Sequence, residues 1–314
     1  MKGYRTDMYN RRENEMSSNK TKKKKNRKLY DAIRIIVLLI AFSILLYPTV
    51  SNYLYQKNQS KVISMYDENA IKLSNKENEL MLAKAREFNS EMLSNIGLLD
   101  PFGPEKKEIN ERYESLLNVN GSGMMGYIRI PAIKVELPIY HETSESVLQV
   151  GVGHFEGTSL PVGGESTHSV LTGHRGLPSK LLFTDMDKLK IGDVFYIKIL
   201  GETFAYEIDQ ILTVLPDETD ALSIEYGKDY ITLVTCTPYA VNTHRLLVRG
   251  HRVAYEEAVH TAEDVSVEAK LPFQVKMLIG ACIFIVLFFI GSCIYEMTKK
   301  KKKIKENKRE EDVK

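Results

Sequence analysis

Thr232-Leu233-Val234-Thr235-Cys236-Thr237-Pro238-Tyr239 is followed by Asn242-Thr243-His244-Arg245-Leu246-Leu247-Val248-Arg249-Gly250. A β-branched and apolar run ends in a cysteine, turns, and returns from an arginine, which reads as strand, loop and returning strand. Cys236 then stands at one rim and Arg245 opens the next element, so their side chains can converge across a single turn. His244 and Arg245 are adjacent on that strand, and alternation sends them to opposite faces, so only one can face Cys236. The other cysteines, Cys282 and Cys293, lie in a distant apolar segment. Cys236 is a lone thiol in its domain, with no disulfide partner and no second sulfur ligand there. A lone cysteine is by default a small buried hydrophobe. One at a strand end beside Pro, Asn, His and Arg has surroundings suited to chemistry. A nucleophilic thiol needs a base or imidazolium beside it and donors for the developing oxyanion.

Working outward, period-two patterning starts at Met125. Tyr127–Ile130 and Val135–Tyr140 read as strands, with Leu148–Gly151 and Ser169–Thr172 as further candidates. Val194–Leu200 and Thr203–Ile208 flank Gly201-Glu202, a two-residue loop suited to a primed turn. Ile211–Leu215 reads as a separate strand, and Ala221–Ile224 as a short helical turn that Asp220 could cap. Tyr230–Cys236 and Arg245–His251 close the set. About seven or eight short strands with few helices argue a β-barrel or sandwich, whose rim loops are the place for a site. Upstream, Tyr66–Leu99 is rich in Lys, Glu, Ala and Leu and reads as helix, most securely over Asn78–Leu93. Leu99-Asp100-Pro101-Phe102-Gly103-Pro104 ends it in a turn, and Lys106–Leu117 reads as another short helix.

The chain has 314 residues, 43% hydrophobic and 27% charged, with a formal net charge of +2. That average hides segregation: lysines and arginines crowd residues 1–34 and 296–314. Ile35–Gln56 and Met277–Tyr295 carry no charged side chain, and each is near the ~20 residues that cross a bilayer. The first lacks a clear small-x-small cleavage site. Its Tyr47-Pro48, Tyr53 and Tyr55 read as a kinked helix end with interfacial aromatics. Both segments are therefore expected to be membrane helices, with both termini cytoplasmic and the section between, roughly residues 57–276, extracellular by the positive-inside rule. Basic runs abutting apolar spans are explained by topology and contact with membrane lipid rather than by nucleic acid. The expected organisation is a basic tail (1–34), a membrane helix (35–56), N-terminal helices with the Asp100 turn (57–124), a barrel (125–252), a connector (253–276), a second membrane helix (277–295) and a basic tail (296–314).

Of seven histidines, His174 stands just past a strand end, in Leu171-Thr172-Gly173-His174-Arg175-Gly176, where flanking glycines permit a tight turn. Spacing alone does not choose it over His244, His168 or His154. No H-x-x-x-H or C-x-x-C spacing suggests a metal site, and no cofactor is expected.

These residues resemble the sortase family, and within it the pilus-assembling class C members of Gram-positive bacteria, over about residues 70–295. Thr232-Leu233-Val234-Thr235-Cys236 with its following Arg245, Leu171–Gly176, and Gly151-Val152-Gly153-His154-Phe155-Glu156-Gly157-Thr158-Ser159-Leu160-Pro161 carry the resemblance. It implies an all-β fold, a closed eight-stranded barrel with N-terminal helices flanked by two membrane helices. It implies Cys236 as nucleophile, His174 as acid/base and Arg245 as oxyanion or substrate clamp. The implied reaction is cleavage of an L-P-x-T-G-type sorting signal between Thr and Gly, through a thioacyl enzyme. Transfer to a lysine amine of the next pilin subunit then polymerises pili. Asp100, Pro101 and Phe102 resemble the class C lid, with Asp100 placed to pair with Arg245 and Phe102 to cover the thiol. Attachment of proteins to the cell wall is the nearest alternative; a thiol peptidase and a non-catalytic pilus scaffold are others. Leu160-Pro161-Val162-Gly163-Gly164 lacks the Thr-Gly pair of a sorting signal, which favours enzyme over substrate.

Overall fold

A computed structural model describes residues 3–92 and 111–255, with isolated positions between 276 and 298; residues 3–31 are described by their backbone alone. Helix α1 (Gly3–Lys72) runs for 70 residues and passes through Pro48 rather than ending there. Helix α2 (Asn75–Met92) follows. The break between them is a capping box. Ser74 Oγ accepts from the Glu77 amide at 3.2 Å, and Glu77 Oε2 accepts from the Ser74 amide at 2.8 Å, so donors at the new helix start are satisfied reciprocally. The expected Tyr66–Leu99 helix is thus two helices over its described part.

Both helices belong to the core. Leu82, Ala85, Phe88 and Asn89 form the buried face of α2, at the three- and four-residue spacing of one helix side. Asn89 clasps Leu160 both ways, Nδ2 to its carbonyl at 3.0 Å and Oδ1 from its amide at 2.7 Å. On α1, the Tyr66 hydroxyl donates to the Met125 carbonyl at 2.7 Å and accepts from the Leu200 amide at 3.1 Å. Ala70, Leu82, Ala85 and Phe88 share one hydrophobic cluster with the strands. The fold is therefore mixed α/β, not all-β: these helices supply part of the core that the strands alone would leave wet.

The strands are β1 (Met124–Ile130), β2 (Val135–Tyr140), β3 (Val152–His154), β4 (Thr167–Thr172), β5 (Val194–Ile199), β6 (Glu202–Val214), β7 (Asp229–Thr237) and β8 (His244–Val253). They close into a barrel in the order β1-β2-β3-β4-β7-β8-β6-β5. The β2–β3 and β4–β7 pairs are parallel. Every residue of β4 is buried, as befits a parallel strand covered on both faces.

Short helices α3 (Glu111–Ser115) and α4 (Glu145–Leu148) stand before β1 and between β2 and β3. α4 replaces the strand expected at Leu148–Gly151; Gln149 N bonds Glu145 O at 2.9 Å and Gly151 N bonds Val147 O at 3.0 Å. Ile211–Leu215 is no separate strand either: Ile211–Val214 continue β6 past a register shift between Ile208 and Gln210. The β5–β6 turn is Leu200-Gly201, one residue earlier than expected, because both have positive φ, 51° and 86°, as a type I′ turn demands. A 3₁₀ turn spans Asp220–Leu222 without a side-chain cap.

Among the described residues one helix is long and apolar enough to cross a membrane, Ala32–Lys72 with a window of mean hydropathy 2.3. The expectation of two spans is corrected to one on this basis; most of residues 277–295 lie outside the described residues. The single apolar helix supports membrane anchoring with an extracellular catalytic domain.

Candidate active site

Cys236 and Arg245 are direct partners in the antiparallel β7–β8 ladder. Directly opposed residues of such a ladder project to the same side with Cβ atoms about 4.5–5.5 Å apart, so the thiol and the guanidinium share one face. His244 pairs with Thr237 instead, on the other face, which resolves the choice that alternation left open. Cys236 is half-buried and is a thiol, not half of a disulfide. Arg245 is buried, and its Nη1 donates to the carbonyls of Asn242 at 3.3 Å and His244 at 3.2 Å. The guanidinium is thereby held close to its own turn.

His174 reaches this rim through parallel pairing. β4 and β7 match Leu171 with Leu233 and Thr172 with Val234. The alignment continues past the end of β4, where the Gly173 amide donates to the Val234 carbonyl at 3.0 Å and Thr235 Oγ1 donates to the Gly173 carbonyl at 2.7 Å. His174 follows Gly173 directly, toward the end of β7 that carries Cys236. Gly173 is required here by packing: a Cβ on it would lie 2.6 Å from Cδ2 of the Phe183 ring. The Phe183 amide then holds the His174 carbonyl at 3.1 Å.

Two neighbours of this site were not singled out from sequence. Glu145, on α4, faces the His174 ring, with Nε2 3.1 Å from Oε2 and 3.3 Å from Oε1. Its carboxyl is held below the ordinary value, first by the hydrogen bond from Gln149 and then by His174. Arg175 is the other. Its side chain is 7% exposed and bonds Asp187 Oδ2 at 2.6 Å, Thr237 Oγ1 at 3.0 Å and the Thr184 carbonyl at 3.2 Å. It ties the segment carrying His174 to the residue after Cys236. Its only sequence signal was its place next to His174; Glu145 offered none, lying between the expected strands Val135–Tyr140 and Leu148–Gly151.

The remaining histidines of interest sit elsewhere. His154 is fully buried, against the Tyr113 hydroxyl at 2.9 Å and the Ser159 carbonyl at 2.9 Å. His168 lies between the Ser223 carbonyl at 2.8 Å and Thr232 Oγ1 at 2.7 Å. Asp100, Pro101 and Phe102 lie outside the described residues. Among the described residues no group of three His, Cys, Asp or Glu side chains is placed to hold a metal ion.

Comparison with known proteins agrees with this architecture. Residues 128–253 match the sortase domain family. The chain is 30% identical to sortase A of Bacillus anthracis over 130 residues, 41% of this chain and 60% of that protein; it thus spans less than two thirds of that relative's length. Among solved structures, sortase C of Streptococcus pneumoniae is 47% identical with a TM-score of 0.59, over 62% of this chain and 97% of that one. Sortase C1 of Streptococcus agalactiae is 48% identical with a TM-score of 0.56, over 62% and 98%. With an eight-stranded barrel closed in this order, a cysteine facing an arginine across β7–β8, and these likenesses, the chain belongs to the sortase family, alongside its class C members.

Proposed function

We propose that this chain is a cysteine transpeptidase that cleaves an L-P-x-T-G-type sorting signal between Thr and Gly and passes the acyl group to a lysine amine of another pilin, polymerising pili. The observation that carries this reading is the β7–β8 ladder, in which Cys236 is paired directly with Arg245, with the β4–β7 pairing bringing the strand that leads to His174 alongside. The solved Streptococcus pneumoniae sortase C, described for its catalysis and pilin substrate specificity, supports the substrate class.

In this reading the Cys236 thiol yields its proton to His174, and the thiolate attacks the threonine carbonyl. Arg245 donates to the oxyanion that forms; its guanidinium stays charged at any working pH. The protonated His174 then gives its proton to the departing glycine amine, leaving a thioester on Cys236. Neutral His174 accepts a proton from the incoming lysine amine, which attacks the thioester, and the thiol is regenerated as the isopeptide bond forms. Anchoring through α1 confines the enzyme to the surface where membrane-held precursors would lie, which raises their effective concentration.

The test is intact mass of the full chain in detergent after mixing with an L-P-x-T-G peptide, beside Cys236→Ala. An added L-P-x-T acyl mass that needs Cys236 is the expected result. A bare Cys236 across varied sorting peptides, in both the native chain and the lid variant below, would overturn the reading. The Asp100-Pro101-Phe102 turn is included as an inhibitory lid, on the resemblance alone. Its replacement, Asp100→Ala with Phe102→Ala, is expected to speed labelling of Cys236 by a thiol reagent, and an unchanged rate sinks the gate.

A further inference from the structure

We propose that Glu145 is the positioning residue of His174: its carboxylate holds Nε2–H, so that Nδ1 is the ring nitrogen that exchanges protons during the reaction. This rests on the transpeptidase reading above.

The chemistry of the two groups forces the assignment. An ionised carboxylate can only accept hydrogen bonds, and a neutral imidazole carries one N–H and one lone pair. Both oxygens of Glu145 lie within hydrogen-bonding distance of Nε2, so Nε2 carries the proton and Nδ1 the lone pair. When the ring takes up a second proton, at Nδ1, the Nε2–H contact is unchanged. The imidazole therefore need not turn between accepting the thiol proton and giving it to the leaving amine.

A carboxylate that is 69% exposed adds little to stability through an ion pair. Orientation asks something else of it, namely that it stay in place, and the structure shows how it does. Gln149 Nε2 donates to Glu145 Oε1 at 2.7 Å, one helical turn along. Lys180 Nζ donates to the Gln149 carbonyl. The next carbonyl, of Val150, accepts from the Tyr55 hydroxyl at 2.9 Å and from Gln59 Nε2 at 2.8 Å. Leu148, 2% exposed, roots α4 in the interior. The side chain that orients His174 is thus braced, through one turn of helix, by the helix that continues from the apolar span.

The experiment uses the full chain in detergent, with ring-¹⁵N-labelled histidine, and compares native protein with Glu145→Ala and Glu145→Asp. His174 is assigned by its loss in His174→Gln, and the resonances of buried His168 report that the fold is kept. The native ring is expected in the Nε2–H tautomer. In Glu145→Ala it becomes a mixture, and kcat for peptide cleavage falls about tenfold with KM nearly unchanged, a part of the ~10²–10⁴ that a positioned acid/base contributes. Glu145→Asp restores part of both. A tautomer unmoved in Glu145→Ala, or a loss confined to KM, overturns the assignment while Cys236 acylation still stands. If the native chain forms no thioester although the tautomer moves, the catalytic reading fails and Glu145 is a structural partner only.

Discussion

Strand β4 carries one histidine near its start and leads to another two residues past its end, and the two are held in opposite ways. His168 is 1% exposed, and both ring nitrogens meet neutral oxygens, the Ser223 carbonyl and Thr232 Oγ1. Burial is the main reason its pKa lies below the ordinary histidine value. His174, two residues past the strand, is one-fifth exposed and meets a carboxylate on a solvent-facing helix. A buried ring between neutral oxygens is fixed in its uncharged form and serves as a strut. A ring at the edge, with one nitrogen on a carboxylate, has the arrangement that the proposed acid/base role requires. Histidine chemistry here follows surroundings, not position along a strand.

The sharpest test of that contrast is loss of function without loss of stability. His174→Ala should reduce kcat/KM for peptide cleavage by ~10³-fold, within the range of a general acid/base, with an unchanged unfolding temperature. A comparable fall from His168→Leu, measured per folded molecule, would erase the distinction. Instead, His168→Leu should leave specific activity intact and lower stability by ~1–3 kcal/mol, because a buried hydroxyl and a half-buried carbonyl lose their partner; calorimetry in detergent reads this as several degrees.

The smallest effect is in pH dependence. With its folded pKa pushed down, His168 stays neutral where the unfolded chain, with a histidine near ~6.5, takes up a proton. Stability from this group is therefore complete above ~6.5 and declines as pH falls below it. His141, also pushed down mainly by burial, acts in the same sense. The native unfolding temperature should drop between pH 7.5 and 5.5, and His168→Leu should drop less; parallel curves would show that His168 carries no part of the slope.

What was legible in the sequence was local. Cys236 and Arg245 face one another across one short turn, so a strand–loop–strand pattern was enough to bring them within reach, although only the β7–β8 register decided that Arg245 and not His244 opposes the cysteine. The same holds for the β5–β6 hairpin and for α2, whose signals lie within a few residues. α4 was missed because one helical turn has too few residues to show a period. Tertiary structure alone decided the rest. The segment that carries His174 comes beside β7 by parallel pairing of β4 with β7, strands separated in the chain by the whole β5–β6 hairpin, and parallel strands cannot be joined by a tight turn. Glu145 reaches His174 from α4, and Gly173 is dictated by a ring from Phe183. Even the place of α1 in the core depends on Tyr66 finding Met125 and Leu200 across the barrel wall. Sequence neighbours are matched by backbone geometry and alternation; partners distant in the chain are matched only once the barrel has closed.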